Sequence, residues 1–82
     1  MNFIDTKKGR VKWFDEHIIH HLSDSFDIRI IDVNHYRIMS RFNDKMVDYF
    51  PKSERVFFLE DKRWDSIKIL ELEDKLKKYL NE

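Results

Sequence analysis

Three histidines, His17, His20 and His21, stand at positions i, i+3 and i+4, with Glu16 before them and Asp24 after. On a helix the imidazoles of His17 and His21 lie one turn apart, the spacing at which two of them share a metal ion. Asp24, three and four residues past His21 and His20, puts a carboxylate within reach. A closed zinc site wants four ligands, however, and the HExxH order of a metalloprotease is absent. The fourth histidine, His35, stands alone. A helical rotation of about 100° per residue sets Trp13, His17, His20 and Asp24 opposite the stripe Val11, Phe14, Ile18 and Leu22. That is where a solvated face belongs, and Trp13 among histidines suits a protein-contact surface. No metal or cofactor is expected.

Other groups that could do chemistry are scattered. Arg37 and Arg41 share one face of an alternating stretch, Asp48 on the next stretch can pair across to them, and Ser40 and Tyr49 add hydroxyls. No serine sits in a nucleophile elbow, and no pair of carboxylates is placed for glycosidase chemistry. The chain has no cysteine, which excludes a thiol nucleophile, a disulfide scaffold and an iron–sulfur site. Its single glycine, Gly9, leaves nothing for a phosphate-cradling loop. No catalytic residue is expected, and the protein reads as a non-enzyme.

The 82 residues allow one small domain spanning 1–82. At 41% hydrophobic and 15% aromatic the chain is too apolar for disorder, and at 39% charged it is too polar for a membrane protein. Sixteen Lys and Arg balance sixteen Asp and Glu, so no global field draws it to nucleic acid or to an anionic membrane. Lys7, Lys8, Arg10 and Lys12 still put four cations into six residues. With no apolar leader and no run long enough to span a bilayer, a cytoplasmic protein is expected.

The elements that position these residues follow from periodicity. The stripe predicts a helix over Arg10–Ser23, ended by Ser23, Asp24 and Ser25. Phe26–Val33, Tyr36–Phe42, Lys45–Phe50 and Arg55–Glu60 read as short strands, with turns at Asn34-His35, Asn43-Asp44 and Pro51–Glu54. Strands joined so tightly are antiparallel neighbours. Asp65 or Ser66 can cap a closing helix that carries Ile69, Leu72, Leu76, Tyr79 and Leu80 on its apolar side. The fold class is α+β: a three- or four-stranded antiparallel meander flanked by an N-terminal and a C-terminal helix. The expected core is Phe14, Ile18, Leu22, Ile38, Val47, Tyr49, Phe57, Leu59, Ile69, Leu72 and Leu76, with Val56 and Phe58 competing for the inward face of the last strand.

Two helices can cover one face of such a sheet. Arg37, Met39, Arg41, Met46, Asp48 and Phe50 then lie on the other face. Trp64, Ile67 and Leu70 form a second apolar cluster on the outer side of the closing helix. Met and aromatic residues beside arginine are the composition of binding surfaces. Trp13, Arg37, Arg41, Phe50, Trp64, Ile67 and Leu70 are therefore the candidate partner-binding residues, for a protein target or for a second copy as a homodimer.

The α-β-β-β-α order and the length resemble the double-stranded RNA-binding domain, whose last helix begins with a K-K-x-A-K run that grips the A-form backbone. Here the segment reads Asp61-Lys62-Arg63-Trp64-Asp65-Ser66-Ile67-Lys68, with acids between the cations. A second stretch resembles small accessory proteins of phages and mobile elements. It is the hairpin Tyr36-Arg37-Ile38 through Lys45-Met46-Val47-Asp48-Tyr49-Phe50-Pro51 to Arg55-Val56-Phe57-Phe58. That resemblance implies a protein that binds a host enzyme or a restriction- or CRISPR-like defence complex and blocks it. The leading expectation is thus a small interaction module acting as an inhibitor in the host cytoplasm. The alternative is an RNA- or DNA-binding domain using Lys7, Lys8, Arg10 and Lys12 with the Arg37/Arg41 face. Because only His17, His21 and Asp24 converge, elemental analysis of the purified protein is expected to find no stoichiometric zinc, nickel or iron. Near-unit zinc that a His17→Ala change removes would overturn this.

Overall fold

The computed structural model describes residues 6–80. Thr6 opens the first helix by accepting a hydrogen bond from Gly9 N–H on its Oγ1 at 2.9 Å, one of the donors a helix start leaves unpaired. Helix α1 (Lys7–Trp13) runs without a break through a π-helical segment (Phe14–Ile18) into α2 (Ile19–Ser23). The start at Lys7 lies one turn ahead of the expected Arg10, because Thr6 supplies the cap. The π segment, in which Ile19 N–H reaches back to Phe14 O, also shifts the stripe. Phe14 and Leu22 are wholly buried, while Ile18, expected in the core, shares a half-buried position with Ile19.

Five strands follow: β1 (Phe26–Asp32), β2 (His35–Ser40), β3 (Met46–Phe50), β4 (Arg55–Phe58) and β5 (Arg63–Ser66). They form one antiparallel sheet in the order β1-β2-β3-β4-β5. A 3-10 turn (Ile69–Glu71) then leads into α3 (Leu72–Leu80). The class is α+β, with a terminal helix at each end of the strands.

The fifth strand is the main departure from the sequence reading. Asp65 and Ser66 pair with β4 instead of capping a helix, and Asp65 Oδ1 takes the neighbouring Ser66 N–H at 2.8 Å. The return is made at the turn 59–62, where Lys62 adopts φ 53°. Two strands also end early. Arg41–Asp44 bend away from β2, with Ser40 Oγ accepting Phe42 N–H at 3.1 Å, so Phe42 is 80% exposed rather than on an inward face. Strand β4 stops at Phe58 and turns Val56 and Phe58 inward, leaving Phe57 and Leu59 half-buried outside the core where they were expected within it.

One core lies between the sheet and the helices. Phe14 and Leu22 pack with Phe26, Tyr36, Ile38, Val47, Tyr49, Val56 and Phe58 from the strands and with Ile67, Ile69, Leu72, Leu76 and Leu80 from the C-terminal segment. Phe14 sits over both buried tyrosines, its ring 4.4 Å from Tyr36 and 5.6 Å from Tyr49. Each phenol is satisfied: Tyr36 donates to Asp15 on the N-terminal helix, and Tyr49 donates to Ile67 O at 2.7 Å. Burial, together with Asp15 beside Tyr36, pushes both phenols well above the usual tyrosine value, so they stay protonated donors.

The Pro51–Glu54 turn ties the layers together. Arg10 Nε donates to Pro51 O at 3.2 Å and to Lys52 O at 2.9 Å, and lies 3.9 Å from Glu54 Oε1. Asn34 Oδ1, in the β1–β2 turn, accepts Lys52 N–H at 2.8 Å. Glu54 takes Ile67 N–H on its carbonyl at 2.9 Å and Ile69 N–H on its carboxylate at 2.9 Å, with its own backbone at φ 55°. Leu72→Ala is expected to cost about 2–5 kcal/mol in denaturant unfolding, because the rigid sheet beneath it limits collapse. Phe58→Ala should fall in a similar range and Phe57→Ala well below it. The reverse order would mean the faces of β4 are assigned wrongly.

Candidate interaction surface

The sheet face away from the helices has no layer over it among the described residues. Alternation decides which side chains stand there. Register carries one row straight across all five strands, Arg29, Arg37, Asp48, Phe57 and Trp64. Beside it lie Met39 opposite Met46, and Phe50 opposite Arg55 with Ser66 beyond.

At the centre of this face Asp48 is 7% exposed and held from two sides. Arg37 binds it as a fork, Nε to Oδ1 at 2.8 Å and Nη2 to Oδ2 at 3.1 Å. His35 Nε2 lies 3.0 Å from Oδ2, without the alignment of a good hydrogen bond. Burial by itself would raise the Asp48 carboxyl, but the Arg37 hydrogen bonds and the neighbouring His35 outweigh it and hold it below the usual aspartate value. The Arg37 guanidinium is raised in turn, chiefly by the same pair.

Around this polar centre runs a chain of rings. His35 stacks on Phe50 at 4.5 Å between centroids, Phe50 meets Trp64 at 5.5 Å, and Trp64 meets Phe57 at 5.0 Å. Arg55 lies over the Trp64 ring, 4.8 Å from its centroid, a cation–π arrangement at a site where Trp64 is still 50% exposed. At one end the platform opens into a shallow hollow lined by Asp32, Val33, Asn34, His35, Phe50 and Lys52. The fixed groups are pre-paired polar atoms and flat apolar rings, an arrangement that recognises shape and charge.

Of the candidate residues named from the sequence, three come together and four do not. Arg37, Phe50 and Trp64 come together on this face. Trp64 does so from β5, not from the outer side of the closing helix, so the expected cluster with Ile67 and Leu70 does not form. Ile67 is 4% exposed and belongs to the core, and Leu70 stands apart at 65% exposed. Arg41 leaves the sheet face because β2 ends at Ser40. It reaches back to the carbonyls of Ser23, Asp24 and Phe26 and to Asp27, fastening the end of α2. Trp13 is half-buried against the core with its ring 4.3 Å from His17, so it is not the exposed contact residue expected of the solvated face. Among the described residues no group of three or more His, Cys, Asp or Glu is placed to hold a metal ion.

The basic quartet is divided as well. Lys7 and Lys8 are exposed, Lys12 lies 3.9 Å from Glu16, and Arg10 is spent on the Pro51–Glu54 turn. The sequence reading missed His35, Arg55 and Phe57 as part of the surface. The signal was the alternation Arg55-Val56-Phe57-Phe58, whose outward member cannot be chosen without the strand that carries Trp64. No described helix is long and apolar enough to cross a membrane. Comparison with known proteins finds no matching family model, no similar curated protein and no similar solved structure.

Because the folded Asp48 titrates below its ordinary value, its contribution to stability is complete above about pH 4 and is lost as pH falls through the lower folded value. Unfolding titrations from neutral pH into acid are therefore expected to show wild type losing stability more steeply over that range than Asp48→Asn. Parallel curves would show that the Arg37–Asp48 pair contributes nothing through this titration.

Proposed function

We propose that the protein is a non-catalytic interaction module that binds a partner protein on the outer face of its sheet. The observation that carries this reading is the connected ring platform of His35, Phe50, Phe57 and Trp64, flanked by Arg37 and Arg55 and left without a covering layer. Aromatic and arginine side chains grouped on a rigid support are the usual centre of a protein–protein contact, since they supply large area at low entropic cost. Arg55, over the Trp64 ring, favours a partner that presents an apolar or aromatic side chain bordered by acids.

On the strength of the hairpin resemblance, the activity is inhibition by occupation: the module covers a working surface of a host enzyme or defence complex in the host cytoplasm. Nucleic acid is the less favoured ligand. Lys7, Lys8 and Lys12 stand on the helix layer, on the opposite side of the sheet from the platform, and Arg10 and Arg41 are engaged in fastening turns and helix ends.

The test is capture of a partner on immobilised wild-type protein, followed by affinity measurements with variants of unchanged circular dichroism. Phe50→Ala and Trp64→Ala are each expected to weaken binding by about tenfold or more, the range of central contact residues. Leu70→Ala should leave it unchanged, and nuclease treatment should not release the partner. Partner binding like wild type by both platform variants would overturn the reading. Binding of labelled single-stranded RNA or DNA that needs Trp64 and falls steeply with salt would replace it with the nucleic-acid reading.

A further inference from the structure

The two edges of the sheet are unlike. At one end β5 is four residues long, with Arg63 and Asp65 as charged guards of the kind that discourage edge pairing. At the other end β1 is seven residues long, and no described residue pairs with its free side. It carries Ile30 at 64% exposed and Ile31 at 42%, with Val33 just beyond at 72%. A long apolar edge strand is a template for another strand. Among the described residues its backbone is interrupted by the irregularity between Ile30 and Asp32, which limits regular pairing to the stretch from Phe26 to Ile30. The Phe26 carbonyl at the near end also accepts from Arg41 at 3.3 Å, which leaves its second lone pair open.

The charges on that stretch are only partly met among the described residues. Arg29 stands directly opposite Arg37, a like-charge neighbour, and Arg37 is already spent on Asp48. Arg29 makes no ion pair among the described residues. Two residues earlier on the same face, Asp27 is 62% exposed and touches only the partly exposed Arg41, at 3.2 Å. One strand thus carries a cation and an anion on one face, at a spacing of two.

We infer that two copies of the chain join through β1, antiparallel, about a two-fold axis through Ile28. Such an axis, normal to the sheet, keeps both helix layers on the same side and sets residues opposite one another in pairs whose numbers sum to a constant. Centred on Ile28, the register places Asp27 of each copy opposite Arg29 of the other, two cross-strand ion pairs on the outer face. Ile28 meets its own copy, and exposed Ile30 comes opposite Phe26. The neighbouring register, centred on Arg29, sets the two arginines against each other and leaves Asp27 facing the irregular Ile31. Charge complementarity selects the first. The product is a continuous ten-stranded sheet with two outer platforms facing the same way. This assembly does not depend on the platform's having a partner.

Sedimentation of the full chain over a micromolar concentration series tests it. Wild type is expected to show a monomer–dimer equilibrium. Arg29→Glu and Asp27→Arg, each setting like charges opposite in this register, should weaken the dimer by about tenfold or more while circular dichroism is kept. The exchanged pair Asp27→Arg with Arg29→Asp should restore it, and Trp64→Ala should leave it intact. Amide exchange at Ile28 and Ile30 should slow as concentration rises. A wild type that stays monomeric throughout overturns the inference. So does a dimer indifferent to Arg29→Glu, or one lost on Trp64→Ala, which would mean that copies meet through the platform.

Discussion

The Glu54 carboxylate fastens the two layers to each other. It receives the Ile69 N–H that starts the C-terminal helical segment, while the Glu54 carbonyl receives Ile67 N–H and Arg10 approaches from the N-terminal helix. The C-terminal helix is short enough to be marginal in water on its own, and the N-terminal one is interrupted by its π segment. Their order comes from being held against the sheet, and this turn is where both are held. The cost is a left-handed backbone at a residue with a β-carbon, roughly 1–2 kcal/mol. Hydrogen bonds with Ile67, Ile69 and the Pro51 carbonyl, and the Arg10 ion pair, offset that cost.

From that attachment follows the asymmetry of the sheet. Both helices are drawn to one face, where Phe14 closes over Tyr36 and Tyr49, and the opposite face keeps its rings and arginines. A sheet covered once must settle its second face with its own side chains. Here Arg37 and Asp48 neutralise each other at the centre with His35 alongside, and the aromatic residues are displaced to the rim of that polar patch. The platform is held in two ways: its rings touch each other, and His35, Phe50 and Phe57 stand on strands whose reverse side is packed, with Trp64 on the exposed β5 leaning against Phe50 and Phe57.

Much of this was legible in the chain. The stripe of α1 and α2, the alternation of β2 and β3 and the 3.6-residue spacing of Leu72, Leu76 and Leu80 each point to a single burial pattern, and those faces are as the periodicity requires except at Ile18, which the π segment turns half out. Strand β4 was not legible, because Val56, Phe57, Phe58 and Leu59 are all apolar and alternation gives no sign. β5 was hidden for a different reason. Arg63-Trp64-Asp65-Ser66 has the composition of a helix start, and its strand form depends on the cross-strand contacts of Trp64, which no local rule contains. The platform was legible only in part as a result: Arg37 and Phe50 stand on readable strands, whereas Trp64 and Phe57 needed the fifth. Arg41 was misplaced by a single early strand end at Ser40.

The order of the strands in space is their order in the chain, and each is joined to the next by a short turn. Every pairing can therefore close before the next begins, with little loop entropy lost at any step. Only the two helices must find partners far away in sequence, as Phe14 does with Tyr36 and Tyr49. A chain of this kind can assemble its ring platform as a succession of hairpins while the covering layer is still arriving, so that the face left uncovered by the helices is also built from the most local contacts.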